Sequence, residues 1–283
     1  MNKDEKRSNI LSYIVLTIVA LITIFPLFYT IMASFKTNVE ILTNPAAILP
    51  QKFTFQNYTD AWNSEVLDIR RMLFNSTYYT VGIVFATLLT SSLGGYVFAR
   101  GEFRGKTFWL AAFSSLMFFS IGSVTIYPTL EILNFLHIPK SLPGLMITKI
   151  FGVSIVNIYL VRSYILSLPT GMEEAAEIDG CTFGGIFFKI ILPLLKPIMA
   201  TIGVLAFQGS WNDYLMPMIY TLGEPKQRPL IVGIIALSKS GEAAASYNLV
   251  FAGTTLALIP VLVAYSIGNR YFVSGLSAGA VKG

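Results

Sequence analysis

Residues 10–35 read ILSYIVLTIVALITIFPLFYTIMASF, from Ile10 to Phe35, without one Asp, Glu, Lys or Arg. A helix rises about 1.5 Å per residue, so about 20 apolar residues cross the hydrocarbon core of a bilayer. This stretch is long enough to do that. It exceeds the about 7–15 apolar residues of a cleaved leader and has no small-residue cleavage pattern before Lys36, so we read it as a retained helix. The basic residues ahead of it, Lys3, Lys6 and Arg7, predict an N-terminus on the cytoplasmic side.

Working outward, the same test finds further apolar windows, and the predicted spans run approximately 10–35, 74–99, 107–130, 142–166, 197–221 and 247–269. The fourth is interrupted by Lys149 and Arg162. Their long stems can lay the charges at opposite interfaces around the charge-free run Ile150–Val161. The composition agrees. Of 283 residues 54% are hydrophobic and 12% charged, against about 25% charged in ordinary soluble domains. Lipid is therefore the main solvent, and a disordered chain is excluded. Cys181 is the only cysteine, which excludes an intrachain disulfide framework. His137 is the only histidine, which argues against a His-based metal site. The windows are much longer than the about 9–11 residues of a barrel strand and lack alternation. The predicted fold is all-α: a polytopic membrane protein with six transmembrane helices in one domain, 1–283. A cytoplasmic loop covers 167–196 and a cytoplasmic tail covers 270–283.

Six spans place both termini on one side. The short loop carrying Arg100, Arg104 and Lys106 is dense in positive charge, as an inner loop should be. Small residues at Ser91, Ser92, Gly94, Gly95, Gly203, Gly209, Ala252 and Gly253 suit close helix packing. Pro26, Pro128, Pro217 and Pro260 predict kinks within spans.

Chemistry-bearing patterns are few. Gly101-Glu-Phe-Arg-Gly105-Lys106-Thr107 imitates a phosphate-cradling loop, but its first glycine is one residue too close and no strand precedes it. No nucleophile–base pair of a hydrolase stands out. Asp213 is the one acid within a predicted span, in Trp211-Asn212-Asp213-Tyr214. An intramembrane carboxylate is costly and marks either a pairing or pore-lining role or a ligand contact.

The most informative loop runs Leu168-Pro169-Thr170-Gly171-Met172-Glu173-Glu174-Ala175-Ala176-Glu177-Ile178-Asp179-Gly180-Cys181, and on through Phe183–Ile191 to Leu192-Pro193. Pro169 and Thr170 start a helix whose positive end Glu173 and Glu174 complement. Gly180 stops it in the left-handed conformation, and a second amphipathic stretch follows. This predicts two short helices with a bend. The small face around Ala175 and Ala176 suits a groove on another protein.

The spacing of Glu174-Ala175-Ala176, Gly180, Ile190 and Leu192-Pro193 resembles, without a gap, the EAA loop of binding-protein-dependent ABC importer permeases. The run Phe207–Pro217, with Trp211, Asn212, Asp213 and Tyr214, is similar to the fifth helix of the maltose-type carbohydrate permeases. The end, Asn269–Gly283, resembles the tail of the second of their two paralogous subunits. The resemblance implies a permease subunit of an ATP-driven, binding-protein-dependent sugar or oligosaccharide importer in a prokaryotic inner membrane. It implies a paralogous permease, two copies of an ABC ATPase and an extracytoplasmic sugar-binding protein as partners, besides membrane lipid, with no nucleic acid. It also implies no catalytic residue, no metal site and no cofactor in this chain, ATP and Mg being bound by the ATPases. Glu174, Ala175, Ala176, Asp179, Gly180, Ile190, Leu192 and Pro193 would couple to the ATPases, and Gly279, Lys282 and Gly283 would reach them from the tail. Trp211, Asn212, Asp213 and Tyr214 would border the solute path. Three other readings stand beside it: a permease of the same superfamily for amino acids or peptides, an ion-coupled carrier, which would need inverted repeats, and a membrane-bound enzyme.

Overall fold

The computed structural model describes residues 3–64, 68–118, 122–152, 154–239 and 246–280. Among them the regular structure is helical throughout. The helices are α1 (Lys3–Ala33), α2 (Asn38–Thr43), α3 (Gln56–Asn63), α4 (Ile69–Arg100), α5 (Lys106–Met117), α6 (Ile126–Phe135), α7 (Leu142–Phe151) and α8 (Ile155–Leu166). Then come α9 (Gly171–Ile178), α10 (Phe183–Ile186), a π turn at Phe187–Ile191, α11 (Leu192–Leu194), α12 (Lys196–Trp211), α13 (Leu215–Tyr220), α14 (Leu230–Lys239) and α15 (Tyr247–Ala280). The chain divides into two compact units, Met1–Leu73 with Leu230–Ile259, and Phe74–Pro229 with Pro260–Gly283.

In the first unit, α1 carries the opening apolar stretch. Its span Ser12–Ala33 has none of its best apolar window buried against protein. A helix apolar all round and uncovered needs a non-aqueous surround. The loop after it is held by buried polar groups. The Asn57 amide donates to the carbonyls of Ser34 and Lys36, each at 2.7 Å, and its oxygen accepts from Asn248 at 2.9 Å. Lys36 is wholly buried; its ammonium donates to the Ala47 carbonyl and sits 5.7 Å from the Tyr29 ring centroid. A core of Ala61, Ile69, Met72, Leu230, Ile234, Leu237 and Ala252 closes the unit.

In the second unit, α4 packs along α8. A Cβ on Gly95 would lie 2.5 Å from Val161 Cγ1 and 3.1 Å from the Arg162 nitrogen, and one on Gly94 would lie 2.8 Å from Ile158 Cδ1. Two clusters form the core. Tyr79, Ile83, Leu133, Leu142, Leu145 and Tyr220 make one. Tyr96, Val161, Ile165, Ala176, Phe187 and Ile191 lead the other.

The apolar windows and the helices do not coincide everywhere. Three helices, at Ser12–Ala33, Ile69–Arg100 and Tyr247–Gly268, are long and apolar enough to cross a membrane, and five if each bent pair is one span. The bent pairs are α7 with α8, inclined by 46°, and Phe183–Leu194 with Lys196–Trp211, inclined by 76°. The third predicted window is divided between α5 and α6, and the fifth between α12 and α13. Pro128 and Pro217, expected as kinks, lie in the first turns of α6 and α13. There a proline's missing N–H costs nothing, because the first-turn donors have no partner within the helix. Pro26 and Pro260 do lie inside long helices.

Candidate functional site

Two regions of the second unit concentrate polar and functional features. The first is the loop 167–196. α9 starts where the Thr170 carbonyl accepts from the Glu173 and Glu174 amides, at 2.8 and 3.0 Å. It ends at Gly180, whose φ of 80° is the left-handed conformation expected there. The Cys181 amide reaches back to the Ala176 carbonyl at 2.9 Å and the Gly180 amide to Glu177 at 3.0 Å. This is the paired bonding of a Schellman helix end, which satisfies carbonyls that a helix terminus leaves free. Thr182 then caps α10, its hydroxyl accepting from the Gly185 amide at 3.2 Å. The π turn follows, ending two residues before Pro193, which has no N–H to donate to the carbonyl four residues back.

Glu174, Ala175, Asp179 and Gly180 are exposed, as is Pro193, and Ile178 projects among them at 87% exposure. Ala176 instead faces inward, where it joins the core with Ile165 and Ile186, and Ile190 and Leu192 are half-buried against that core. The presented surface is thus one flank of α9 and its turn. Glu173, expected only to complement the helix dipole, is buried. Its carboxylate accepts from Arg100 Nε at 2.9 Å, within an ion pair of 2.8 Å. The phosphate-loop imitation resolves as a helix end: Lys106 donates to the Gly101 carbonyl at 2.9 Å just past α4, a favourable place for a cation.

The second region is a cavity of about 350 Å³ between α4, α7, α8 and α12, whose polar lining includes Tyr79, Lys149, Asn157, Ser210 and Asp213. Asp213 occupies the break between α12 and α13, where one oxygen accepts from the Tyr79 hydroxyl at 2.9 Å and stands 3.4 Å from Lys149 Nζ. The acid is therefore paired, which offsets the cost of placing a carboxylate among apolar helices. Its side chain retains 16% exposure and that of Lys149 41%, both toward the cavity they line. A Cβ on Gly209 would meet nothing within 4 Å.

Of the four residues predicted to border a solute path, Asp213 alone lines this cavity. Trp211 is buried, stacked on Phe207 at 5.6 Å, and the Asn212 amide turns back to the Gln208 carbonyl at 3.0 Å. Tyr214 is half-buried at the start of α13. Sequence reasoning missed Tyr79, Asn157 and Ser210 and placed Lys149 at an interface. The available signal was an uncompensated acid and an uncompensated base in neighbouring apolar windows. Gly279 lies in α15, which continues helical through the predicted tail as far as Ala280. Lys282 and Gly283 lie outside the described residues.

The pattern of the family described as "Binding-protein-dependent transport system inner membrane component" matches residues 5–278. The chain belongs to that family. Among its relatives is the arabinooligosaccharides transport system permease protein AraQ of Halalkalibacterium halodurans, 31% identical over 99% of this chain and 99% of that protein. The galactooligosaccharides transport system permease protein GanQ of Bacillus subtilis is 32% identical over 96% and 94%. A chain of a bacterial ABC transporter involved in import of the acidic polysaccharide alginate superposes with a TM-score of 0.84, at 26% identity, covering 96% of this chain and 99% of that one. As an inner membrane component the protein is a multi-pass transport subunit, not an enzyme, in a system that includes a binding protein and an ATPase.

Proposed function

We propose that this inner membrane component is a sugar or oligosaccharide permease subunit that forms the translocation pathway together with a paralogous permease. Two ABC ATPase subunits drive it, binding the ATP and Mg, and an extracytoplasmic sugar-binding protein supplies it. The observation that carries the reading is full-length similarity to oligosaccharide permeases combined with a cavity suited to polyols. Each sugar hydroxyl both donates and accepts. A carboxylate, an ammonium, an amide and the four hydroxyls of Tyr79, Thr87, Ser154 and Ser210 around one hollow offer both functions.

In this reading α1, α4, α5 with α6, α7 with α8, α12 with α13, and α15 cross the membrane, with both termini cytoplasmic. Glu174, Ala175, Asp179 and Gly180 are the exposed part of the ATPase contact. Ala176, Ile190 and Leu192 anchor that contact to the bundle, and the exposed Pro193 belongs to the same loop surface. At about 1.5 Å per residue, the 34-residue α15 is roughly 50 Å long, well beyond the hydrocarbon thickness. Its excess length carries Gly279 toward the ATPases, and Lys282 and Gly283 are assigned to the same contact by the family resemblance alone. ATP-driven closure of the ATPases pulls α9, and the bundle changes the side to which its cavity opens. This works because α9 is held differently in the two states.

Purification from the native membrane tests the assignment. A second permease, an ATPase and a binding protein should co-purify, and one or more neutral oligosaccharides should stimulate ATP hydrolysis when the binding protein is present. A chain that purifies without an ATPase, or a complex stimulated by amino acids or peptides and not by saccharides, would overturn it.

A further inference from the structure

Arg100 is the last residue of α4, yet it is largely buried, with 16% of its side chain exposed against 10% for Glu173. Besides bonding Glu173 through Nε, it donates through Nη2 to the Ile165 carbonyl at 3.1 Å and the Leu168 carbonyl at 3.2 Å. One guanidinium therefore joins the end of α4, the end of α8 and the first turn of α9. One turn earlier on the same face, Tyr96 donates its hydroxyl to the Phe183 carbonyl at 3.2 Å and stacks its ring on Phe183 at 4.4 Å. α4 thus grips both sides of the Gly180 turn.

The covalent chain already links α9 to α8, and α10 to α12. It does not link either to α4, since Arg100 and Glu173 are 73 residues apart in sequence. Without these side chains, a pull on α9 would reach α8 and α12 directly but would reach α4, which supplies Tyr79 and Ile83 to the cavity, only at second hand through α8, by the packing at Gly94 and Gly95 and the Arg162 Nε bond to the Phe98 carbonyl at 3.1 Å. We infer that Arg100 is a positioning residue that ties α9 to α4, so that displacement of the ATPase-facing turn moves the wall of the cavity. The inference rests on the proposed docking of an ATPase at α9. The guanidinium is suited to the task because its rigid fork serves several acceptors at once, which a lysine ammonium at the end of a flexible stem does not. A buried ion pair is weak evidence for stability and better attested as a device that specifies one geometry.

The test uses the complete importer in proteoliposomes, with ATP hydrolysed per sugar delivered as the readout. In a Cys181→Ser background, Ala175→Cys should cross-link to the ATPase, and its failure to do so would sink the docking assignment and the tie together. With docking established, Arg100→Lys should assemble and retain hydrolysis stimulated by the binding protein. Its ATP cost per sugar should rise at least about fivefold, the lower end of typical coupling between sites. Glu173→Gln, which preserves shape and an acceptor, should do the same, and it decides the question alone if Arg100→Lys fails to assemble. The double variant should be no worse than the poorer single, since both break one link. A docked, assembled Glu173→Gln or Arg100→Lys importer with unchanged ATP per sugar would overturn the tie while leaving the docking assignment intact.

Discussion

At the scale of single residues, Asp213 shows how a polar group persists in an apolar window. It stands just past the end of α12, its amide donating to the Ser210 carbonyl at 3.3 Å, and its carboxylate is held by Tyr79 and Lys149. Tyr79→Phe removes one of those bonds and should lower stability by about 0.5–2 kcal/mol, the range for interhelical bonds in membranes. Thermal unfolding in detergent measures this, and an unchanged midpoint would show that the bond contributes nothing. Gly180 makes a different residue-level demand. A Cβ there would meet nothing within 4 Å, so only the positive φ resists substitution. Gly180→Val should cost about 1–3 kcal/mol of backbone strain, with Gly180→Asn much closer to wild type, because asparagine tolerates this conformation. In the assembled importer Gly180→Val should also separate ATP hydrolysis from uptake or prevent ATPase binding. Wild-type uptake by that variant would remove Gly180 from its assigned role.

At the scale of elements, two glycine positions should behave in opposite ways. Gly95→Leu drives a side chain into Val161 and the backbone at Arg162, so it should force α4 from α8 and destabilise by about 1–3 kcal/mol or more. Gly209→Leu meets open space beside the cavity, so it should leave the melting temperature within a degree or two while obstructing uptake. Equal melting and uptake in the Gly209 variant would show that the solute does not use this hollow. These elements were unevenly legible in the sequence. α1, α4 and the start of α15 follow from unbroken apolar runs, because a bilayer imposes length and composition directly. The bend at Gly180 was legible too, since glycine at a helix end has one common use. The breaks before Pro128 and Pro217 were not, because proline in an apolar run suits a kink and a first turn equally. The cavity was legible only at Asp213. Its base, Lys149, lies on another helix, and apolar windows carry no record of which faces meet. Arg100 reads in the sequence as the first residue of a basic inner loop, and it is the last residue of α4. Its pairing with Glu173 depends on long-range packing that no local pattern encodes.

At the scale of the whole molecule, the chain combines lipid-facing helices, a polar hollow and an exposed helical turn. Nothing among the described residues supplies an energy source of its own, and membership in a binding-protein-dependent transport family places that source in a partner. Under the proposed function the exposed turn is where force enters, and the cavity is where it acts. The most direct measurement is uptake of a transported oligosaccharide into vesicles containing both permease subunits and the binding protein, with and without the ATPase subunits. The account predicts uptake that requires the ATPases and ATP and stops when either is omitted. Sustained uptake against a gradient in vesicles lacking any ATPase would contradict it.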